Sequence, residues 1–296
     1  MKNAERENLD KYYTKSSVAK FCYDAYVDFL SSKIVGNVLF VEPSAGSGSF
    51  LNLIEYTKLG FDIVPENSNI VKLDFLKDSI KKYIKSKNVF IIGNPPFGIK
   101  SKLAIDFLNT SLKYSKYVGF IVPIQFRKYG VQRNIKQNAR LVLDIDLDDD
   151  SFTFANSDYN VSCCFQIWTT DKIGTDLRII KQPDVEHSDF KLFQYNATVQ
   201  AEKYFDYDWD FAVLRQGYGD FSEKYYKTDK LDKKKQWIFF KAKNKKILDR
   251  LMKLDFVKLS EKNTKTKGFG KQDVIKEYVE LYGVYSPIKK FFKQGV

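Results

Sequence analysis

Asn94-Pro95-Pro96-Phe97 is the segment of this chain whose residue types combine into a chemical device. Two consecutive prolines fix φ and carry no N–H, so the turn is stiff and presents carbonyl acceptors. The Asn94 side-chain oxygen and the Pro95 carbonyl can together accept both hydrogens of an –NH2 group, while Phe97 can stack on a flat ring. An amine conjugated to a heteroaromatic ring suits that set. Its lone pair is delocalised, and two acceptors shift it toward a pyramidal, more nucleophilic geometry. A second segment, Glu42-Pro43-Ser44-Ala45-Gly46-Ser47-Gly48-Ser49, has glycines that let a ligand approach the backbone. A helix opening after it would offer free N–H groups at its N-terminus. Position 51 is Leu and there is no P-loop lysine, which disfavours nicotinamide and ATP sites. An isolated tight turn would carry the same G-x-G. Asp62, in Phe61-Asp62-Ile63-Val64-Pro65, is placed to accept from two ribose hydroxyls. Asp74-Phe75 offers an acceptor for an exocyclic amine beside an aromatic face. Taken singly, each acid is more often a solvated loop residue.

The elements around these segments place them along one sheet edge. A helix is predicted from Ser16-Ser17, a capping pair, with Val18, Phe21, Cys22, Tyr26 and Phe29 on its inner side. Val38–Val41 is a short apolar run, hence a buried strand, and it delivers Glu42. A helix with Phe50, Leu51 and Ile54 facing inward is expected next, then a strand Phe61–Val64 stopped by Pro65. Val89–Ile92 delivers Asn94. A helix near Leu103–Tyr114 leads to the strands Tyr117–Pro123, Leu141–Leu147 and Val161–Trp168. Apolar strands alternating with amphipathic helices predict an α/β fold, a doubly wound and largely parallel sheet covered on both faces. Ligands bind such sheets beyond the carboxyl ends of the strands. Beyond Gly174 the alternation fades into aromatic-rich stretches, the run Lys233–Lys235 and two helical patterns around Ile247–Met252 and Val274–Val279, the second ended by Gly283. Two domains are expected, residues 1–175 and a smaller basic one, residues 176–296.

Composition narrows the function. The 296 residues are 44 % hydrophobic and 16 % aromatic, enough for a sizeable core. No apolar run approaches a membrane span, and the polar start MKNAERENLDKYY predicts no signal peptide. Cys22, Cys163 and Cys164 form no disulfide framework or metal pair, and His187 is the lone histidine, so no metal and a reduced, cytoplasmic setting are expected. Cys163 and Cys164 read as buried apolar residues on opposite sides of their strand. The formal charge is +12, of which residues 1–175 carry +4 (23 basic, 19 acidic) and residues 176–296 carry +8 (26 and 18). That imbalance points to a polyanion, nucleic acid above all, although a lysine-rich surface alone would look alike.

In combination the segments resemble the amino-methyltransferase family, specifically the adenine-N6 DNA methyltransferases that use S-adenosylmethionine. Asp10-Lys11-Tyr12-Tyr13-Thr14 with Val18-Ala19 is similar to the N-terminal cofactor motif, Val41–Gly48 to the glycine motif, Asp62 to the ribose-binding acid, Asp74-Phe75 to the adenine-cleft pair, and Asn94-Pro95-Pro96-Phe97 to the catalytic motif. Their order looks like the gamma arrangement. Lys15 departs from the family, which usually has Pro after the Thr. The resemblance covers roughly residues 10–170 and implies a class I methyltransferase-like fold. It implies that Tyr13, Thr14, Glu42, Ser44, Gly46, Gly48, Asp62, Ile63, Asp74 and Phe75 hold S-adenosylmethionine, and that Asn94, Pro95, Pro96 and Phe97 are catalytic. Phe154, with Phe152 and Tyr159 as competing positions, would join Phe97 in stacking on a flipped adenine. The basic C-terminal part would bind DNA and read its sequence, with Arg215, Gln216, Lys267 and Lys271 among its candidate readers. A cognate restriction enzyme is a further partner of such proteins. Adenine methylation of ribosomal or transfer RNA, methylation of a protein glutamine amide and a non-catalytic nucleic-acid-binding module are the competing readings.

Overall fold

The computed structural model describes residues 13–85, 88–148, 151–154, 157–159, 161–261 and 266–283, with only the backbone at 152–154 and 157–159. The chain divides into two compact units, Met1–Lys181 and Gln182–Val296.

The first unit is built on a seven-stranded sheet. Its elements in chain order are β1 (Tyr13–Thr14), α1 (Ser16–Leu30), β2 (Val38–Glu42), β3 (Lys58–Asp62), β4 (Ile70–Lys72), β5 (Asn88–Gly93), α2 (Lys102–Ser111), β6 (Tyr117–Pro123), α3 (Tyr129–Gln132), β7 (Arg140–Asp146), β8 (Phe152–Phe154), β9 (Ser157–Tyr159) and β10 (Cys163–Thr169). The strand order is β4-β3-β2-β5-β6-β10-β7. The first five strands in that order run parallel, and β10 is antiparallel to both β6 and β7. This is the doubly wound, largely parallel sheet that the alternation of strands and helices predicts.

Alternation along the central strands explains the two covered faces. Leu39, Val41, Val89, Ile91, Val118 and Phe120 enter one core with Ala104, Phe107 and Leu108 of α2. Val38, Phe40, Phe90, Ile92 and Ile121 enter the other with Ala19, Cys22, Tyr26 and Leu30 of α1. Side chains of period two on a sheet with helices on both sides must all be apolar, which is why these strands read as unbroken runs. Cys163 and Cys164 enter opposite cores and are buried.

Four local expectations are corrected. Phe21 is 49 % exposed, because α1 buries the stripe Ala19, Cys22, Tyr26 and Leu30 instead. Its N-cap is Lys15, without a side-chain cap, so the serines do not cap it. The helix expected after the glycine loop is a single 3-10 turn, Leu51–Leu53. Phe50, Leu51 and Ile54 are buried as a helix would bury them, but the chain turns back at once so that the Phe40 N–H can bond Thr57 O at 2.9 Å. The strand expected at 61–64 is β3, which starts earlier and ends at Asp62. There the Asp62 carboxylate accepts the Val64 N–H at 2.8 Å, a side-chain turn that stops the ladder.

The second unit folds around β11 (Phe190–Tyr195), β12 (Phe211–Gln216) and β13 (Gln236–Ala242) in the order β11-β13-β12, all antiparallel, with α4 (Lys245–Met252), α5 (Phe256–Ser260) and α6 (Lys271–Tyr282). Its aromatic-rich stretches are its core. Phe211 stacks on Phe240 at 4.4 Å, and Trp237, Phe239, Phe256 and Tyr278 are buried with them. Gly283 ends α6 in the left-handed conformation. Among the described residues no helix is long and apolar enough to cross a membrane.

Candidate active site

The sheet order reverses at β2: β3 and β4 lie on one side of it and β5 and β6 on the other. The crevice beyond the carboxyl ends of β2 and β5 is the topological switch point of the sheet, where ligands of doubly wound folds sit. Glu42 ends β2 and Gly93 ends β5, so the glycine loop and Asn94 leave the sheet side by side.

The glycine loop is fixed from both ends. The Leu51 N–H donates to Glu42 Oε2 at 2.7 Å, and Gly46 N–H donates to Asp62 Oδ2 at 2.8 Å. Gly46 has φ +50°, and a Cβ built there would meet nothing within 4 Å, so its outer side is open space. Glu42 is buried, and desolvation pushes its carboxyl up to about 8, against the lowering effect of the Leu51 and Phe50 backbone N–H groups. One expectation changes here. The first N–H of the turn after the loop is spent on Glu42, so no open helix N-terminus faces a ligand.

Asp62 has one oxygen on Gly46 and the other on Val64. Each carboxylate oxygen accepts more than one bond, so Asp62 keeps acceptor capacity while holding the loop. Ile63 beside it is exposed. Leu73 N–H bonds Asp62 O at 2.9 Å and brings Asp74 to the same edge. Asp74 accepts the Leu76 N–H at 3.1 Å and pairs with Lys77 at 2.9 Å. Phe75 differs from its expected role. Its ring is 2 % exposed, stacked on Phe107 at 5.6 Å and edge-on to Tyr114, so it is a core side chain and offers no open aromatic face.

Asn94 is where the arrangement concentrates. Its Nδ2 donates to Thr14 Oγ1 at 3.1 Å, and its backbone carbonyl accepts from the Ser44 hydroxyl at 3.3 Å. Its Oδ1 is buried and has no hydrogen-bond partner among the described residues. A buried acceptor left unpaired costs free energy, and this one, just beyond the carboxyl end of β5, can accept from a ligand's donor. Pro95 is buried, and Phe97, half-buried, packs against both cores of the unit.

Residues 13–14 close the group. Tyr13 O–H donates to Glu66 Oε1 at 2.6 Å, and this bond, with burial, pushes the phenol up to about 12. Glu66 N–H bonds Gly46 O at 3.2 Å, which ties the arm to the glycine loop. Glu66 was not foreseen: a lone acid after Pro65 carries no motif signal. Thr14 pairs with Phe152 across β1 and β8, and Phe154 pairs with Ser157 across β8 and β9. The Phe154 backbone therefore belongs to the strand beside Thr14, while its side chain lies outside the described residues.

In the second unit Arg215 is not free to read bases. Its guanidinium donates to Phe269 O, Gln216 Oε1 and Gln236 Oε1 at 3.1, 3.0 and 2.7 Å, bracing the unit from inside. Lys267 lies 3.6 Å from Glu261, and burial lowers the half-buried Lys271. Lys233 pairs with Glu202 at 2.9 Å on the surface.

No protein-family model and no curated protein sequence matches this chain. Solved structures do resemble it. The type I restriction-modification methyltransferase subunit of Streptococcus thermophilus is 16 % identical, with TM-score 0.42 over 56 % of this chain and 46 % of that one. The M protein of the type I restriction enzyme EcoKI is 14 % identical, with TM-score 0.40 over 57 % and 47 %. The 23S rRNA methyltransferase ErmE is 14 % identical, with TM-score 0.37 over 55 % and 70 %. The matches span less than half the length of the two type I subunits. At these scores the geometry of the loops, and not the likeness, carries the functional reading.

Proposed function

We propose that this chain is an S-adenosylmethionine-dependent methyltransferase that methylates the N6 amine of an adenine flipped out of DNA. The observation that carries the reading is the buried, unpaired Asn94 Oδ1 at the sheet's switch point. The cofactor fits the residues present. The open side of Gly46 admits a ligand against the loop, Asp62 retains acceptor capacity for ribose hydroxyls, and Asp74 for the adenine amine. Bound S-adenosylmethionine supplies a methyl group already activated on a sulfonium, so no metal or covalent enzyme intermediate is required. The protein's contribution is position and charge.

Asn94 Oδ1 and the Pro95 carbonyl accept the two hydrogens of the target amine and pull its lone pair out of conjugation. Thr14 holds the Asn94 amide so that the oxygen, and not the NH2, faces the amine. An amide takes up no proton at neutral pH, so the proton released when nitrogen gains its methyl group leaves to solvent. Phe97 stacks on the base, with Phe154 as its partner. A base inside a duplex cannot reach such a turn and must flip, at a few kcal/mol of unstacking. The C-terminal segment, carrying +8 of the +12, supplies phosphate contacts. Radiolabelled methyl transfer offered in parallel to DNA, RNA and protein tests the proposal. Label is expected as N6-methyladenine in DNA; label confined to RNA would move the substrate, and label on protein glutamine would overturn the adenine reading.

A further inference from the structure

The turn that carries Asn94 runs directly into a loop whose backbone is forced. Gly98, Lys100 and Ser101 have φ of +67°, +55° and +62°, so two of three are non-glycine residues in the left-handed region. L side chains enter that region at a cost, and consecutive examples persist only where the surroundings hold them. The base of the loop does so. Ala104 N–H bonds Phe97 O at 3.4 Å, Ser101 N–H bonds Gly98 O at 3.3 Å, and Ser101 is buried. A Cβ at Gly98 would stand 2.8 Å from Leu103 Cγ, so the loop packs tightly against the start of α2. What this rigid base holds outward is Ile99, 81 % exposed, with exposed Lys100 beside it. Lys102 is also exposed, its nearest acid being Asp106 at 3.8 Å.

A single exposed apolar side chain needs no explanation by itself. Ile99 differs in three respects: a strained backbone presents it, it stands two residues after Phe97, and lysines follow it at positions 100 and 102. An apolar side chain on a rigid tip with cations around it matches the chemistry of a duplex. Apolar wedges enter between base steps, and lysines take the flanking phosphates.

We infer that Ile99 is the wedge that enters the base stack as the target adenine leaves it, with Lys100 and Lys102 on the neighbouring phosphates. This rests on the proposed reaction on DNA and adds the residue that works against stacking. Ile99 does not touch the amine, so it is a positioning residue. Its contribution should vanish when the base is already unpaired.

The test uses the full chain and an oligonucleotide holding the sequence found methylated in a host expressing the protein. Methyl transfer is measured on the paired duplex and on the same duplex with an abasic site opposite the target adenine, where flipping costs little. Ile99→Ala should slow transfer to the paired duplex by about tenfold or more while leaving the abasic-opposed duplex within about twofold of wild type. Ile99→Leu, which keeps an apolar tip, should retain most of the rate on both. Equal loss on the two substrates, or no loss on the paired one, overturns the wedge while the wild-type activity leaves the proposed reaction standing. A wild-type protein that labels no duplex DNA overturns both.

Discussion

Removing the Asp62 carboxylate should weaken cofactor binding through the loop as well as through the ligand. In Asp62→Ala the N–H groups of Gly46 and Val64 lose acceptors that now lie 2.8 Å away. Bonds to a charged acceptor contribute roughly 1.5–3 kcal/mol each. Val64 is exposed and its N–H rehydrates, so the loss concentrates at Gly46. Gly46 N–H then loses its bond to β3 while Ala45 N–H keeps its own to Phe61 O at 2.9 Å, so binding must re-seat the turn at Gly46. The expected loss of S-adenosylmethionine affinity is about 1.5–3 kcal/mol, or roughly 10- to 150-fold. Titration calorimetry reads the affinity, and a thermal melt of the free protein reads the loss of the tether separately. A variant that melts lower but binds the cofactor with wild-type affinity would confine Asp62 to loop support and remove it from the binding site.

Glu42 gives a pH test. Its native pKa of about 8 lies above that of an unfolded glutamate, so the native chain keeps a proton that the unfolded chain releases. The contribution of Glu42 to stability is then fully present below about pH 4.5, is lost by about 1.4 kcal/mol per unit as the pH rises to about 8, and changes no further above it. Glu42→Gln keeps an acceptor for Leu51 and should lose that slope; urea unfolding at pH 5 and pH 8 with equal slopes in both proteins would contradict the buried acid. Gly46→Ala puts a methyl group into open space at φ +50°. It should fold with a loss of about 1–2 kcal/mol yet bind S-adenosylmethionine at least about tenfold more weakly, and calorimetry showing full affinity would place the ligand elsewhere.

What could be read from the sequence follows burial. β2, β5 and β6 are apolar on both faces, so their runs state their own place in the sheet. β3 begins Lys58-Leu59-Gly60 near the sheet edge, where no apolar run announces it, and its end is set by a side-chain bond of Asp62. Phe50, Leu51 and Ile54 have helical spacing because one face of a tight turn is buried, and spacing cannot distinguish that turn from a helix. The residue types of Asn94 to Phe97 suggest a hydrogen-bond acceptor, but its unpaired state depends on Thr14, 80 positions away. The clasp of Tyr13 on Glu66 spans 53 positions and leaves no local trace. In the second unit Arg215 looks like a reader by type, and only the register of β12 on β13 brings Gln236 within its reach.

The proposed reaction turns on Asn94 Oδ1 accepting an amine hydrogen. Asn94→Ala removes that acceptor and leaves the prolines, Phe97 and the glycine loop in place. Asn94→Asp keeps an oxygen at nearly the same position, and the Thr14 hydroxyl can turn to donate to it. Single-turnover methyl transfer to adenine in DNA, with cofactor affinity measured on the same samples, separates the acceptor role from a strand-ending turn. Cofactor binding should be unchanged, with a loss of about two to three orders of magnitude in the Ala variant and a partial loss in the Asp variant. Ala and Asp variants that fold, bind cofactor and methylate adenine at the wild-type rate would contradict the acceptor role.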